Sequence, residues 1–212
     1  MNDQMTLFAS PPLNREGSGG SVCIALLSGI WRDRAIETVK TKHYTHSVPS
    51  GKTHWFEYQS ALVAWSIPAN NNVSRFLIGE PNRVWELARL WAPDGHEPNL
   101  LTQAISATLR ELRRIEPRVL AVVSYAVFCL KKKGGVYRAA SWLYLGQCEE
   151  SRYYVDASGQ AVSRRKFHSG NRCMVKAEIE ALGFREMRKP GKHRFAFGLT
   201  KAARKTLRQR FA

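Results

Sequence analysis

The feature that most restricts the fold of this chain is the alternation of strand and helix patterns between residues 84 and 146. VWELARLW at 84–91 and VLAVVSY at 119–125 are mostly apolar runs of strand length. Between them, residues 99–115 carry Leu and Ile at helical spacing, and Pro117 ends that helix. A strand, a helix and a second strand in this order predict a parallel pair of strands with a crossover helix. We therefore predict an α/β fold in which helices flank a central mixed sheet.

Polar side chains lie near the ends of these two strands. Ser124 and Tyr125 close the second strand, and Glu86 and Arg89 lie in the first. Because open α/β sheets hold ligands beyond the carboxyl ends of their strands, we expect a binding site there. Side chains alternate along a strand, so only one of Ser124 and Tyr125 should face that site, and Glu86 and Arg89 should point to opposite faces. The helix that begins near Asn99 would present free N–H groups to an anion at the same edge.

The remaining segments carry shorter patterns. Residues 1–20 are polar and rich in Gly and Ser, which is typical of a flexible terminus, and we predict one domain over residues 21–212. Residues 42–54 and 68–74 contain Pro, Gly, Ser and Asn and are predicted to be loops. The other predicted elements are helices at 33–41, 171–182 and 201–211, and strands at 22–30, 56–58, 61–67, 142–145 and 194–199.

Positive charge is concentrated in the last third of the chain. The net charge is +16, and residues 151–212 hold sixteen Lys and Arg against four Asp and Glu. Solubility needs far less net charge than this, so the asymmetry favours a nucleic acid as a partner. The basic segments 163–168, 185–194 and 201–210 would lie along the phosphates. The individual candidates for DNA contacts are Lys131, Lys132, Lys133, Arg164, Arg165, Lys166, Lys189, Lys192 and Arg194.

Neither the cysteines nor the apolar runs indicate a secreted or membrane protein. The four Cys are scattered without a CxxC pair, which fits a reducing cytoplasm and small buried apolar roles. No apolar run has the length of a membrane span. A basic helix with a clean apolar face, which would indicate binding to a membrane surface, is not evident either. We therefore expect a cytoplasmic protein without a membrane partner.

Several short runs together resemble a known family. They are His43–Tyr44, VPSGK at 48–52, ELARLW at 86–91, Asn99–Leu100, SYA at 124–126 and GGVYRAASWLYLG at 134–146. Any one of these runs would be weak, but their combination is fairly specific. It extends over residues 40–147 and more loosely to 193–199. In this combination the chain resembles the Mom-type phage DNA modification proteins, which look like distant relatives of the GNAT acyltransferases.

That resemblance implies a GNAT-like fold and a phage enzyme that acts in the cytoplasm of the bacterial host. The substrate would be adenine in double-stranded DNA, and the product would be the N6-acetamido (carbamoylmethyl) base, which hides phage DNA from host restriction enzymes. In a GNAT-like sheet two parallel strands, here 84–91 and 119–125, splay apart beyond their middles and expose backbone groups to a ligand. A small-molecule or carrier-bound donor would be the second substrate, and the sequence leaves its identity open.

The resemblance also selects five candidate catalytic residues: His43, Tyr44, Arg89, Ser124 and Tyr137. By their chemistry, Ser124 would orient the substrate or donate a proton, and Tyr137 would act as a general acid or stack on a base. Arg89 would meet a phosphate or a donor carboxylate. His43 would be a general base or a metal ligand. Each residue also has a structural alternative, such as a packed tyrosine or a surface ion pair.

The cofactor stays open at the level of sequence. His43 and His46 form an HxxH run with His54 downstream, and although this spacing is common by chance, a metal ion is possible, with His43 as its best single ligand. The Gly-rich turn that binds coenzyme A in GNAT enzymes is replaced by DGHEPN at 94–99. We therefore do not predict acetyl-coenzyme A as the donor. Two positions depart from the family pattern, since Val127 stands in place of an Asp and Lys132 in place of a His.

An adenine inside a base pair would have to leave the helix and stack on an aromatic side chain before it could react. The candidates for this stacking are Tyr44, Trp55, Tyr58 and Tyr137, whereas Trp31, Trp65, Trp85 and Trp142 are expected in the core. Two other classes of function remain open. One is an acyltransferase that acts on a small amine or a protein, and the other is a non-catalytic DNA-binding protein, which Val127 and Lys132 make more credible.

Overall fold

The structure is a computed structural model that describes residues 24–127, 134–162, 164–169 and 172–211. Its strands are β1 Ile24–Leu26, β2 Thr53–Tyr58, β3 Ala61–Ser66, β4 Val84–Trp91, β5 Ala121–Ala126, β6 Leu143–Gln147, β7 Ser151–Val155, β8 Ala161–Val162, β9 His168–Ser169, β10 Arg172–Cys173, β11 Arg185–Lys189 and β12 His193–Gly198. Its helices are α1 Gly29–Lys42, α2 Asn72–Ile78, α3 Leu100–Ile115, α4 Gly135–Ala139, α5 Lys176–Ala181 and α6 Lys201–Phe211.

A seven-stranded mixed sheet forms the centre of the molecule, in the order β1-β2-β3-β4-β5-β12-β6. Neighbouring strands are antiparallel except β4 and β5, which run parallel with α3 as their crossover helix. Helices cover both faces of this sheet, so the predicted α/β fold with a mixed central sheet is confirmed. None of the described helices is both long enough and apolar enough to cross a lipid bilayer.

The two faces of the sheet bury separate cores. On one face α3 places Ile105 and Leu112 against the indoles of Trp65 and Trp85. The Trp65 indole N–H donates a hydrogen bond of 3.0 Å to Thr108 Oγ1, which satisfies the polar atoms of both buried residues. The opposite face is covered by α1, α2 and α6. Because both faces are covered, every residue of β3 is buried, which explains its continuous apolar sequence ALVAWS.

Strands β4 and β5 pair only over their first halves. Backbone pairing joins Val84 to Ala121, Trp85 to Val122 and Glu86 to Val123, and it stops there. Beyond this point β4 continues to Trp91 and β5 to Ala126 without pairing to each other. The predicted divergence of the two parallel strands is therefore confirmed, and it leaves an opening at the carboxyl end of the sheet.

A β-bulge changes the orientation of the β4 side chains. In the pairing of β3 with β4, Trp65 lies opposite Leu87 but Ala64 lies opposite Arg89, so Ala88 is an extra residue. An extra residue reverses the alternation, and Glu86 and Arg89 therefore share the sheet face that α1 covers. The prediction that these two side chains point to opposite faces was wrong, because the pattern of a single strand does not reveal a bulge.

Residues 151–189, here called the insert, lie between β6 and β12. Since β6 and β12 pair directly with each other, the central sheet is continuous without the insert. The insert has its own three-stranded sheet in the order β11-β7-β8, a β9–β10 hairpin, a 3₁₀ turn at Arg164–Phe167 and the helix α5. A small core of Tyr154, Phe167 and Ile179 holds these elements together.

Most predicted elements of the central sheet are correct to within two residues, although β2 begins three residues earlier than predicted. The predicted strand 22–30 is wrong beyond Leu26, because α1 begins at Gly29. The predicted loop 68–74 contains the start of α2, where the Asn72 N–H donates to the Asn70 side chain at 2.9 Å.

Residues 1–20 and the cysteines Cys23 and Cys129 lie outside the described ranges. The described cysteines, Cys148 and Cys173, are half-buried free thiols, so the prediction of buried roles was only partly right.

The predicted helix 171–182 is correct only in its second half. Arg172 and Cys173 belong to a strand, and α5 contains only Lys176–Ala181. The Glu178 carboxylate accepts a hydrogen bond of 2.9 Å from the Val175 N–H, and this interaction fixes the late start of the helix.

Candidate active site

A cavity of about 730 Å³ opens where β4 and β5 diverge. It is lined from β5 by Ser124, from α4 by Tyr137 and from the segment after α1 by His43 and Tyr44. Four of the five predicted catalytic residues therefore meet at one cavity, although they are far apart in sequence. A cavity of this size is in the range that proteins use to bind small molecules or single bases.

Ser124 and Tyr137 form a hydrogen-bonded pair in the cavity wall. The Ser124 hydroxyl lies 3.0 Å from the Leu87 carbonyl oxygen and 2.9 Å from the Tyr137 hydroxyl. The Ser124 hydroxyl is the donor to both oxygens, which leaves the proton of the Tyr137 hydroxyl available to the cavity. Leu87 lies just beyond the last β4–β5 pair, so Ser124 satisfies a backbone carbonyl that the divergence of the strands leaves without a partner from β5.

The Tyr137 ring is fixed by aromatic neighbours. Its centroid lies 4.9 Å from that of Phe195 in a stacked arrangement and 5.4 Å from that of Trp142. Burial raises the pKa of Tyr137 to about 12, while the hydrogen bond with Ser124 acts in the opposite direction. Tyr137 is therefore protonated at neutral pH, and it can donate a proton or a hydrogen bond but does not serve as a base.

His43 is buried and its ring is oriented by Thr45. The Thr45 backbone N–H donates to His43 Nδ1 at 3.2 Å, and the Thr45 hydroxyl lies 2.8 Å from the same nitrogen. Since Nδ1 accepts, the proton of the neutral ring is on Nε2. The Tyr44 ring packs on His43, with the two ring centroids 4.4 Å apart. Tyr44 is 50% exposed and lines the cavity, so a ligand there could contact its ring.

Arg89 supports the segment that carries His43 and Tyr44. Its guanidinium donates to the Ser47 carbonyl at 2.7 Å and to the Ser47 hydroxyl at 3.0 Å. A third hydrogen bond goes to the carbonyl of Ala88 at the bulge. Burial lowers the pKa of Arg89, while Glu86 and Tyr44 act in the opposite direction. Arg89 is not among the residues that line the cavity, so its geometry is that of a positioning residue and not of a direct substrate contact.

A second set of polar groups lies on the α1, α2 and α6 face of the divergent strands. Burial raises the pKa of Glu86 above its usual value, although the positive charges of Lys192 and Arg89 act in the opposite direction. Burial also raises the pKa of Tyr125 to about 12. Tyr125 and Ser124 alternate across β5, and Ser124 alone of the two bonds to Tyr137, but both residues line the cavity, contrary to the prediction that only one of them would face it.

The three histidines of the proposed metal pattern have different partners. His46 Nδ1 bonds to the Lys40 carbonyl at 2.9 Å. His54 Nε2 bonds to the Glu116 carboxylate at 2.8 Å, and its ring stacks on Trp85 at 5.0 Å. Within the described part of the chain no three His, Cys, Asp or Glu side chains are grouped so that they could hold a metal ion. The residues present thus supply no ligand set for a metal, and we derive no step through one.

The turn before α3 forms the outer wall of the cavity. Asp94, His96 and Leu101 line the cavity there, and the first turn of α3 has no basic side chain. Asn99 precedes the helix with a positive φ of 64° and makes no side-chain cap. The negative charge of the Asp94 carboxylate would repel a pyrophosphate group bound at this position. We derive no step through coenzyme A.

The predicted DNA-binding cations lie in different parts of the molecule. Lys166 and Lys189 are exposed residues of the insert, with their amines over the rings of Phe184 and Tyr153. Lys192 is exposed at the start of β12. Arg194 is half-buried, since its guanidinium packs 4.6 Å from the centroid of Phe76, and its Nε makes no hydrogen bond. Lys131, Lys132 and Lys133 lie outside the described residues, and so do the side chains of Arg164 and Arg165.

Sequence reasoning missed some features of the site and misplaced others. Gly134 has a φ of +66°, and a Cβ there would lie 2.4 Å from the Phe195 ring, so only Gly brings α4 close enough to place Tyr137. The adjacent pair Gly134–Gly135 was the available signal for this close approach. Trp55 and Tyr58, proposed for stacking on a base, are 3% and 8% exposed and belong to the core. Tyr44 and Tyr137 remain as candidates for that stacking.

The fold and the cavity together define a GNAT-like α/β protein with a ligand site at a split between parallel strands. Arabidopsis thaliana NAA60, in complex with a bisubstrate analogue, matches 84% of this chain and 98% of its own at 7% identity, with a TM-score of 0.50. A Bacillus subtilis acetyltransferase in complex with CoA matches 85% of this chain and all of its own at 6% identity, with a TM-score of 0.45.

The sequence comparison is more specific. The chain belongs to the Mom protein family, whose profile matches residues 25–211. The chain is similar to the methylcarbamoylase mom of Escherichia phage Mu, with 30% identity over 133 residues. That match covers 59% of this chain and 54% of the phage Mu protein. The resemblance seen in the sequence is thereby confirmed.

Proposed function

We propose that this protein is a phage DNA modification enzyme that converts adenine in double-stranded DNA to its N6-carbamoylmethyl form and so protects the DNA from host restriction. It would act in the cytoplasm of the bacterial host on duplex DNA and a small-molecule or carrier-bound donor. The observation that carries the proposal is the Ser124–Tyr137 pair in a cavity between diverging parallel strands, in a member of the Mom family. The methylcarbamoylase name of the phage Mu relative supports the same group transfer.

The N6 amine of adenine is a weak nucleophile because its lone pair is delocalised into the ring. In the proposed reaction this lone pair forms a bond to the methylene carbon of the donor, and the bond from that carbon to its leaving group breaks. The N6 atom then carries a positive charge, and one of its protons is released. The Asp94 carboxylate lines the cavity and would accept this proton.

Tyr137 has the properties of the acid in this scheme. It is protonated at neutral pH, and Ser124 holds its hydroxyl at the cavity wall. Its proton would pass to the leaving group as the carbon–leaving group bond breaks. His43, with its proton on Nε2, would act as a second hydrogen-bond donor and not as the predicted general base.

Tyr44 would receive the adenine. The target base lies inside a duplex and would rotate out of the stack before it reacts, and an exposed aromatic ring at the cavity would stack on it. Tyr44 is half exposed and lies beside His43. Arg89 holds Ser47 three residues further along, and we propose that it keeps the Tyr44 segment in place during the reaction.

Mass spectrometry of nucleosides from the DNA of expressing cells tests this proposal. We expect plasmid DNA to contain a deoxyadenosine in which one N6 hydrogen is replaced by a carbamoylmethyl group, and to resist adenine-sensitive restriction enzymes. Plasmid DNA from the same strain without the protein is the control. Only unmodified nucleosides under all expression conditions would contradict an enzyme and favour a DNA-binding protein. Acylation of a small amine or a protein, with DNA unmodified, would favour the acyltransferase.

A further inference from the structure

The sheet of the insert (residues 151–189) has two faces of different composition. Strands β7 and β11 pair antiparallel, with Tyr154 opposite Glu186 and Arg152 opposite Arg188. These four residues define the inner face. The alternate residues define the outer face, and they are Ser151, Tyr153, Val155, Arg185, Met187 and Lys189.

The charged side chains of the inner face form ion pairs with neighbouring residues. Tyr154 is 2% exposed and contacts the Phe167 ring edge-on at 5.1 Å, so this face covers the small core. Glu186, whose side chain is 8% exposed, lies 3.6 Å from Arg152 and 3.8 Å from Lys176. Arg188 lies 3.7 Å from Glu150. The cations of the inner face therefore already have carboxylate partners.

The outer face has cations without carboxylate partners. None of its six residues is acidic, and within the described residues Arg185 and Lys189 form no ion pair. Both are exposed, whereas Tyr153 and Met187 between them are half-buried. The Lys189 amine lies 5.6 Å from the centroid of the Tyr153 ring. The face therefore has an apolar and aromatic centre with a cation at each end.

The spacing of the two cations matches a dimension of DNA. Arg185 and Lys189 are four residues apart on one strand, which corresponds to about 13 Å at 3.3 Å per residue. The major groove of B-DNA is about 12 Å wide and admits a two-stranded ribbon. A cation at each end of the ribbon could thus reach the phosphates on the two sides of the groove.

The insert is attached to the sheet beside the cavity. His193, the first residue of β12, pairs with Ala126 at the end of β5, and Ala126 lines the cavity. The connection is closely packed, since the Cys148 N–H donates to the Lys192 carbonyl at 2.8 Å and a Cβ on Gly191 would lie 1.8 Å from the Cys148 oxygen. DNA held by the insert would therefore be close to the opening between β4 and β5.

We propose that the outer face of the insert is a duplex-DNA contact surface, in which Arg185 and Lys189 bind phosphates on either side of the major groove. This inference rests on the proposed function, because it supplies the surface that presents DNA to the cavity. It assigns DNA binding to one sheet face and excludes the inner face, which also has two cations. The number of cations alone does not distinguish the two faces, because each face has two.

Paired charge variants test the proposal. R185Q/K189Q removes two cations from the outer face, and R152Q/R188Q removes the same charge from the inner face. Kd for a labelled duplex is measured by fluorescence anisotropy over a series of salt concentrations. We expect the outer-face variant to bind at least about tenfold more weakly. Its slope of log Kd against log salt should fall by about 1.8, because each phosphate that a cation no longer neutralises lowers the slope by about 0.9. The inner-face variant should keep the wild-type slope.

The outcomes separate this inference from the proposed function. If the wild type binds duplex DNA and the outer-face variant keeps the same Kd and slope, the proposed surface is wrong while the enzyme proposal stands. Equally weakened DNA binding in both variants would also overturn the proposed surface, because binding would then not depend on which face carries the cations. Thermal unfolding of both variants checks that the insert is folded. Wild-type binding to vesicles of anionic lipid, with no binding to duplex DNA, would contradict both proposals.

Discussion

The central sheet and the insert are built on different scales. The sheet has strands of up to eight residues with helices on both faces, and its largest core includes Trp65, Trp85 and Phe195. The insert relies on strands of two to five residues around Tyr154, Phe167 and Ile179. In our proposals the central sheet supplies the cavity for chemistry, whereas the insert supplies a surface that binds DNA.

Matched truncations in the two cores give the largest effect on stability. Leu112 is fully buried in the central core, and Leu112→Ala should lower the free energy of unfolding of the whole protein by about 2–5 kcal/mol. Ile179 is also fully buried, but Ile179→Ala should act mainly on the insert. Hydrogen exchange should then show faster exchange in β7 and β11 with the central sheet still protected. Equal loosening of the central sheet in the Ile179 variant would contradict two separate cores.

Adjacent glycines at the cavity give an intermediate effect. Gly134→Ala would place a Cβ 2.4 Å from Phe195 Cζ at a positive φ of 66°, whereas a Cβ at Gly135 would meet no atom within 4 Å. The first substitution should cost about 1–3 kcal/mol, because the ring or the start of α4 must move. Gly135→Ala should be nearly neutral. Urea unfolding measures both, and equal stability of the two variants would argue against close packing of α4 on the sheet.

The pH dependence of stability tests the burial of two hydroxyl groups in the central sheet. Tyr125 and Tyr137 have pKa values near 12 when folded and about 10 when unfolded, so the folded protein binds more protons between pH 10 and 12. Stability should therefore fall as pH rises, by about 1.4 kcal/mol per pH unit for each tyrosine. Urea unfolding across this range should show a shallower fall in Tyr125→Phe and in Tyr137→Phe. An unchanged slope in both variants would contradict the burial of these hydroxyls.

The two regions also differ in how well the sequence predicted them. Strands β3, β4 and β5 and helix α3 have long apolar patterns because helices or strands cover them, and their predicted positions were nearly correct. The strands of the insert were not predicted. They are short, and β11 has the sequence REMRK with Met187 as its one apolar residue, so the pattern resembles a polar loop. The wrong start of the helix predicted at 171–182 has the same origin, since interactions within the insert and not periodicity decide where α5 begins.

The site was predicted as a set of residues but not as a geometry. The resemblance to the Mom family selected His43, Tyr44, Ser124 and Tyr137, and the structure brings them to one cavity. It could not reveal the bulge at Ala88, which turns Arg89 toward Ser47 and away from the cavity wall. Bulges and hydrogen bonds between distant segments depend on tertiary structure, which explains why such roles are not visible in one sequence.

A comparison of two tyrosine variants tests the central claim most directly. The Tyr137 hydroxyl bonds to Ser124 in the cavity, whereas the Tyr144 hydroxyl bonds to His193 Nδ1 at 2.6 Å on the edge of the sheet. Nucleosides from cells expressing Tyr137→Phe should contain at least about 100-fold less modified deoxyadenosine than those from wild-type cells, because the variant lacks the general acid. The affinity of this variant for DNA should be unchanged. Tyr144→Phe should modify DNA nearly as well as the wild type. Wild-type levels of modified deoxyadenosine from Tyr137→Phe would contradict the account.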